Sequence, residues 1–185
     1  MAIKLPSVTE VISFCNQGAF AGIPEHIMAR ASSRGVSVHA SAAAYLGGFW
    51  CAEDPEPEFE GYHKSLTDWA SEFVVKVIWV EQELVDLKRG FQGHPDALLL
   101  MRGDEGLTLL DLKTPKPLSL SWRLQLAGYR LLATANGYII VRVASLRLDK
   151  DGGPAKFQGY TRTLAYDQNV FLSCLNVWNF YNKAA

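Results

Sequence analysis

With 185 residues, the chain has the length of one ordinary domain and can bury a core without staples. At 49% hydrophobic and 20% charged residues, with 15 Gly and 8 Pro, its composition excludes disordered, fibrous and collagen-like classes. A net charge of −1 argues against a nonspecific polyanion binder, but residues 1–100 carry 7 Lys and Arg against 13 Asp and Glu, and residues 101–185 carry 11 against 6. Such asymmetry either gives one basic face or is spread over a solvated surface. Apolar runs such as Ala97–Met101 are too short to span a bilayer, so no membrane partner is expected. Met1-Ala2-Ile3-Lys4-Leu5-Pro6 has no apolar signal core, which makes an intracellular, cytoplasmic protein the expectation.

Ser7 is placed to cap a short first helix, with Glu10 completing a capping box. An alanine-rich helix is predicted over about 24–45, closed by Gly47 and Gly48. The acidic run 53–58, broken by Pro55 and Pro57, reads as an exposed loop, and a third helix follows over about 62–73. Val74–Val80 is β-branched and aromatic and reads as a strand. A turn over 86–90 leads to a second strand over 93–101, a tight turn at 103–106 and a third strand over Leu107–Lys113. Ser119 or Ser121 caps a helix to about 135, and a strand follows over 138–148. After a turn at 151–154 come a last strand over 156–164 and a helix over about 167–181. The pattern is one α/β domain over 1–185: a helical part (1–73), a central part (74–135) and C-terminal strands with a helix (136–185). The scattered Cys15, Cys51 and Cys174 fit no disulfide framework or zinc knuckle and are expected as buried small hydrophobes.

The chemistry centres on Asp111-Leu112-Lys113. Alternate strand residues share a face, so Asp111 and Lys113 point one way and Leu112 the other. Charged groups at the end of an apolar strand are costly if buried unpaired, so they reach solvent or serve a site. With a four-residue loop at 103–106, Asp96 falls opposite Lys113, and Asp96 and Asp111 become diagonal neighbours about 6–8 Å apart at Cβ. Two carboxylates at that spacing can share a divalent cation, and a lysine beside them suits metal-assisted phosphodiester hydrolysis. Hard oxygen ligands favour Mg²⁺, with Mn²⁺ as substitute, over zinc. The plain alternative is a cross-strand Asp96–Lys113 salt bridge.

The wider pattern includes Arg34-Gly35-Val36-Ser37-Val38-His39, Glu81, Gly93-His94-Pro95-Asp96, Asp111-Leu112-Lys113-Thr114 and Gln125-Leu126-Ala127-Gly128-Tyr129. In order and spacing it resembles the RecB-like exonuclease branch of the PD-(D/E)XK nuclease superfamily, over roughly residues 6–135. The resemblance implies a restriction-endonuclease-like core, a mixed central sheet flanked by helices, with 74–135 as its catalytic part. It implies Asp96, Asp111, His39 and the Leu112 carbonyl as metal ligands, Lys113 as the catalytic lysine, and Glu81 in a metal-water or structural role. Gln125 and Tyr129 would contact DNA or orient the lysine. From helical spacing alone, Arg123 and Arg130, seven apart, share a face suited to phosphate contact, and Arg34 either holds a phosphate or pairs with an acid. Glu83 competes with Glu81 because both are expected on one face of the same strand, and His94 shares the face of Asp96. Three dispersed cysteines do not supply the four-cysteine iron–sulfur cluster found in part of that branch. Arg142, Arg147, Lys150, Lys156 and Arg162 offer a basic surface beside the site or a solvated sheet edge. The activity expected is Mg²⁺-dependent DNA exonuclease, with an endonuclease of the same fold or a non-cutting binding module as alternatives.

Overall fold

The computed structural model describes residues 5–16, 25–48, 56–114 and 118–183. Cys51, residues 53–55 of the acidic run, Pro24, Pro115 and Pro117 lie outside them. The helices are α1 (Val8–Cys15), α2 (Glu25–Leu46), α3 (Glu60–Phe73), α4 (Leu120–Ala135) and α5 (Leu164–Lys183). The strands are β1 (Val74–Val80), β2 (Leu84–Asp86), β3 (Phe91–Gly93), β4 (Ala97–Met101), β5 (Leu107–Lys113), β6 (Ile140–Arg147) and β7 (Lys156–Gly159). Ser7 caps α1 through the expected reciprocal capping box with Glu10, and Ser119 caps α4.

The main sheet runs β1-β4-β5-β6-β7, and β2 and β3 form a separate small hairpin. β1, β4 and β5 are antiparallel; α4 then carries the chain over one face so that β6 returns parallel to β5. The result is a mixed α/β sheet covered by helices on both faces. Leu98, Leu109 and Val143 face α1, α4 and α5, with Val8, Leu126 and Phe171 in their core. Ala97, Leu99, Leu110 and Leu146 face the other way, toward Leu66 and Trp69 of α3 and Val38 of α2. A strand buried on both faces needs continuous apolar residues, which is why β4 and β5 read as Leu-rich runs. Each buried leucine contributes about 2 kcal/mol by area removed from water.

Two glycines permit close packing around α4. A Cβ at Gly93 would stand 2.8 Å from Tyr129 Cε1, and one at Gly128 would stand 2.8 Å from Phe171 Cε2. Together they let α4 settle between β3 and α5.

Three expectations need correction. The strand predicted over 93–101 is two strands separated by His94-Pro95-Asp96, because Pro95 has no N–H for the ladder. The last strand ends at Gly159; a 3₁₀ turn (Thr161–Thr163) then leads into α5. Cys15 is exposed rather than buried. Its thiol meets that of half-buried Cys174, whose own thiol is pushed up to about 12 by burial and by that contact. Among the described residues, no helix is long and apolar enough to cross a membrane.

Candidate metal centre

Sheet register builds the site. Val80 pairs with Ala97 across β1–β4, and Ala97 with Leu110 across β4–β5. One residue further along stand Glu81, Asp96 and Asp111. The Glu81 N–H donates to the Asp96 carbonyl at 2.9 Å, extending the ladder by one bond. Asp111 continues the row by pairing with Ser145 of β6. Three acids therefore line up across neighbouring strands. This corrects the expected register: Leu107 pairs with Leu100 and not with Arg102, so Asp96 faces Asp111 directly and not Lys113. A two-residue slip preserves faces, so the acids stay together.

The Asp96 side chain reaches across to the backbone of β5. The Leu112 N–H donates to the Asp96 carboxylate, at 2.5 Å to Oδ2. Leu112 thus enters the site through its N–H. The other oxygen, Asp96 Oδ1, lies 3.1 Å from Nδ1 of His39, delivered by α2. Glu81 completes the group. It has left β1 with φ of +46°, a left-handed conformation that costs a non-glycine residue about 1 kcal/mol and is typical of functional positions. That twist ends the period-2 alternation on which Glu81 and Glu83 were expected to share a face. Glu83 lies near His94 instead, 4.0 Å from its Nε2, and both are exposed. One ligand atom from each of His39, Glu81 and Asp96 falls within 4.8 Å of the others, so this group can hold a metal ion. Asp96 is buried, His39 half-buried and Glu81 on the open side.

Asp111 lies deeper, 1% exposed. Its Oδ2 makes an ion pair with Lys113 Nζ at 2.5 Å but no aligned hydrogen bond. Lys113 also donates to Gln125 Oε1 at 2.9 Å and lies 5.8 Å from the ring centre of Trp122. Gln125 Nε2 donates in turn to the Tyr129 hydroxyl at 3.1 Å. Positions i and i+4 of α4 thus form a brace for the lysine. Trp122 is a site residue that the motif pattern missed, although its place three residues before Gln125 puts it on the same helical face.

The local charges are strongly coupled. Burial disfavours protonated His39, but the Asp96 hydrogen bond and the Asp96 and Asp111 charges prevail and push its pKa up to about 9. Burial raises the Asp111 carboxyl above its usual range; Lys113 opposes this and Asp96 reinforces it. Burial raises Glu81 too, with Asp96 adding and His39 opposing. Burial and the nearby carboxylates keep the Tyr129 hydroxyl protonated well beyond its ordinary range.

The remaining predicted residues lie elsewhere. Arg123 is committed to Asp167 of α5, with bonds of 3.1 and 2.7 Å. Arg34 lies on α2 five residues before His39, in a cleft with Glu58, Tyr62 and Lys150. No protein-family model and no curated protein matches the chain.

Proposed function

We propose that this chain is a Mg²⁺-dependent nuclease that hydrolyses DNA phosphodiesters, most simply as an exonuclease. The supporting observation is the row Glu81–Asp96–Asp111, with His39 against Asp96 and Lys113 against Asp111. The donor set fits a hard divalent cation: His39, Glu81 and Asp96 already converge, and among the described residues Asp111 has a buried oxygen with an ammonium against it and no hydrogen-bond partner. Carboxylate-rich ligation favours Mg²⁺, and the imidazole makes Mn²⁺ an effective substitute. A cation held there supplies Lewis acidity toward a phosphate oxygen and lowers the pKa of water.

The chain's own groups do the rest. Asp96 is fixed by Leu112 N–H and so presents its second oxygen from a rigid ladder. Lys113, steered by Asp111 and Gln125, orients the attacking water and offsets charge growing on the phosphate. Tyr129 locks Gln125 and thereby the lysine. Gln125 and Tyr129 act in this reading as positioning residues.

The test is degradation of end-labelled linear DNA, single- and double-stranded, beside a covalently closed circle, with Mg²⁺, Mn²⁺ or EDTA. Metal-dependent loss of linear DNA with the circle intact supports the exonuclease. Cutting of the circle makes the protein an endonuclease. Absence of cleavage with both metals, or equal cleavage in EDTA, overturns the proposal.

A further inference from the structure

A second row of side chains crosses the sheet two residues beyond the acids. Lys113 pairs with Arg147 of β6, and Arg147 with Lys156 of β7. Directly opposed residues share a face, so three cations follow one another from the lysine of the site to the sheet edge. Two inter-strand steps separate the first from the last, about 10 Å. At the strand ends the row opens on a cleft of about 340 Å³ lined by Thr114, Arg147, Asp149, Lys150 and Lys156.

The turn carrying Lys150 is built into the fold. Asp149 N donates to Ser65 Oγ of α3 at 3.0 Å, and Asp149 Oδ1 accepts from the N–H of Asp151 at 2.9 Å. A Cβ on Gly61 would lie 1.9 Å from the Lys150 carbonyl oxygen, so only glycine lets α3 press against this turn. Lys150 Nζ meets Asp151 at 2.7 Å, an exposed and water-screened pair that a phosphate can replace readily. Beyond Lys150 and Tyr62 a further cleft of about 350 Å³ reaches Arg34, whose Nε is buried without a hydrogen-bond partner among the described residues. The path therefore returns to α2, the helix that carries His39.

We propose that these joined clefts bind a single strand of nucleic acid through its phosphates, with Lys150 and Lys156 as contact residues, and lead it to Lys113. This rests on the nuclease reading for the identity of the polyanion. The clefts, at a few hundred Å³ each, suit one strand rather than a duplex. The other arginine-bearing cleft, near Arg162, is less suited: its Arg123 and Arg142 are held by Asp167 and Asp104.

The experiment is fluorescence anisotropy of a labelled single-stranded oligonucleotide in EDTA across a salt series, beside the cleavage assay. The double variant Lys150→Ala/Lys156→Ala is expected to weaken binding about tenfold and to flatten the log–log salt slope by about 1.4, or about 0.7 per lost cation. Lys88→Ala, on the exposed β2–β3 turn, should stay within about twofold. Unchanged affinity in the double variant overturns the proposal, as does an equal loss in Arg162→Ala. Tighter, equally lysine-dependent binding of a duplex overturns the single-strand assignment. Cleavage with lysine-independent binding removes the cleft and keeps the nuclease; lysine-dependent binding without cleavage removes the nuclease and keeps the cleft.

Discussion

The buried carboxylates among the described residues fall into two sets. Asp86 accepts from the backbone N and guanidinium of Arg89 at 2.9 and 2.7 Å. Asp167 takes two nitrogens of Arg123 and the Thr163 hydroxyl. Each has one guanidinium and well-formed hydrogen bonds, and each ties together neighbouring structure: a turn in one case, α4 to α5 in the other. Asp96 and Asp111 lie side by side with Glu81 beside them, and among the described residues His39 and Lys113 are the cationic partners of these three acids. A satisfied pair is sufficient for a staple. An excess of acid held on a rigid sheet makes sense where a cation is meant to join it.

Substitutions should separate the sets. The largest effect expected is on cleavage: Asp111→Ala or Lys113→Ala should slow it about a thousandfold while circular dichroism stays native. Next comes the staple. Asp167→Ala should cost about 3 kcal/mol in urea unfolding, because Arg123 is left half-buried without its partner.

A third effect depends on pH. The folded pKa of His39, about 9, lies above its ordinary 6.5, so its stabilising contribution is complete below about pH 6.5 and lost as pH rises through 9. In EDTA, stability should therefore fall by about 3 kcal/mol across that window, and His39→Gln should remove the fall. An unchanged pH profile in that variant would detach His39 from Asp96. Gln125→Ala should lower kcat about tenfold with KM unchanged, since it loosens the lysine without touching bound substrate. Smallest, Glu81→Gln should stabilise the EDTA-treated protein by about 0.5 kcal/mol by removing a charge that burial and Asp96 both disfavour. A loss of stability there would place Glu81 among the staples.

Much of this arrangement was legible in residue order. β1 and β5 begin and end where their β-branched and leucine-rich runs do, and the capping box located α1. Both strands are long and periodic, so local pattern and tertiary burial agree. The register of β4 against β5 was not legible, since it depends on how many residues the turn after Met101 uses. Pro95 did signal the break before β4, but the glycine-to-methionine run concealed it. The choice of Glu81 over Glu83 depends on a positive φ that a glutamate rarely adopts. Gln125 and Tyr129 were found by spacing, yet their partner, Lys113, is a tertiary fact. Arg123 looked free for phosphate because Asp167 lies 44 residues away on another helix.

Calorimetric titration of Mn²⁺ into the wild type and into Asp96→Asn tests the metal centre most directly. Saturable binding by the wild type, weakened at least about tenfold in the variant, is the outcome this account predicts. A wild type that binds no Mn²⁺, or an Asp96→Asn protein that binds it equally tightly, would contradict it.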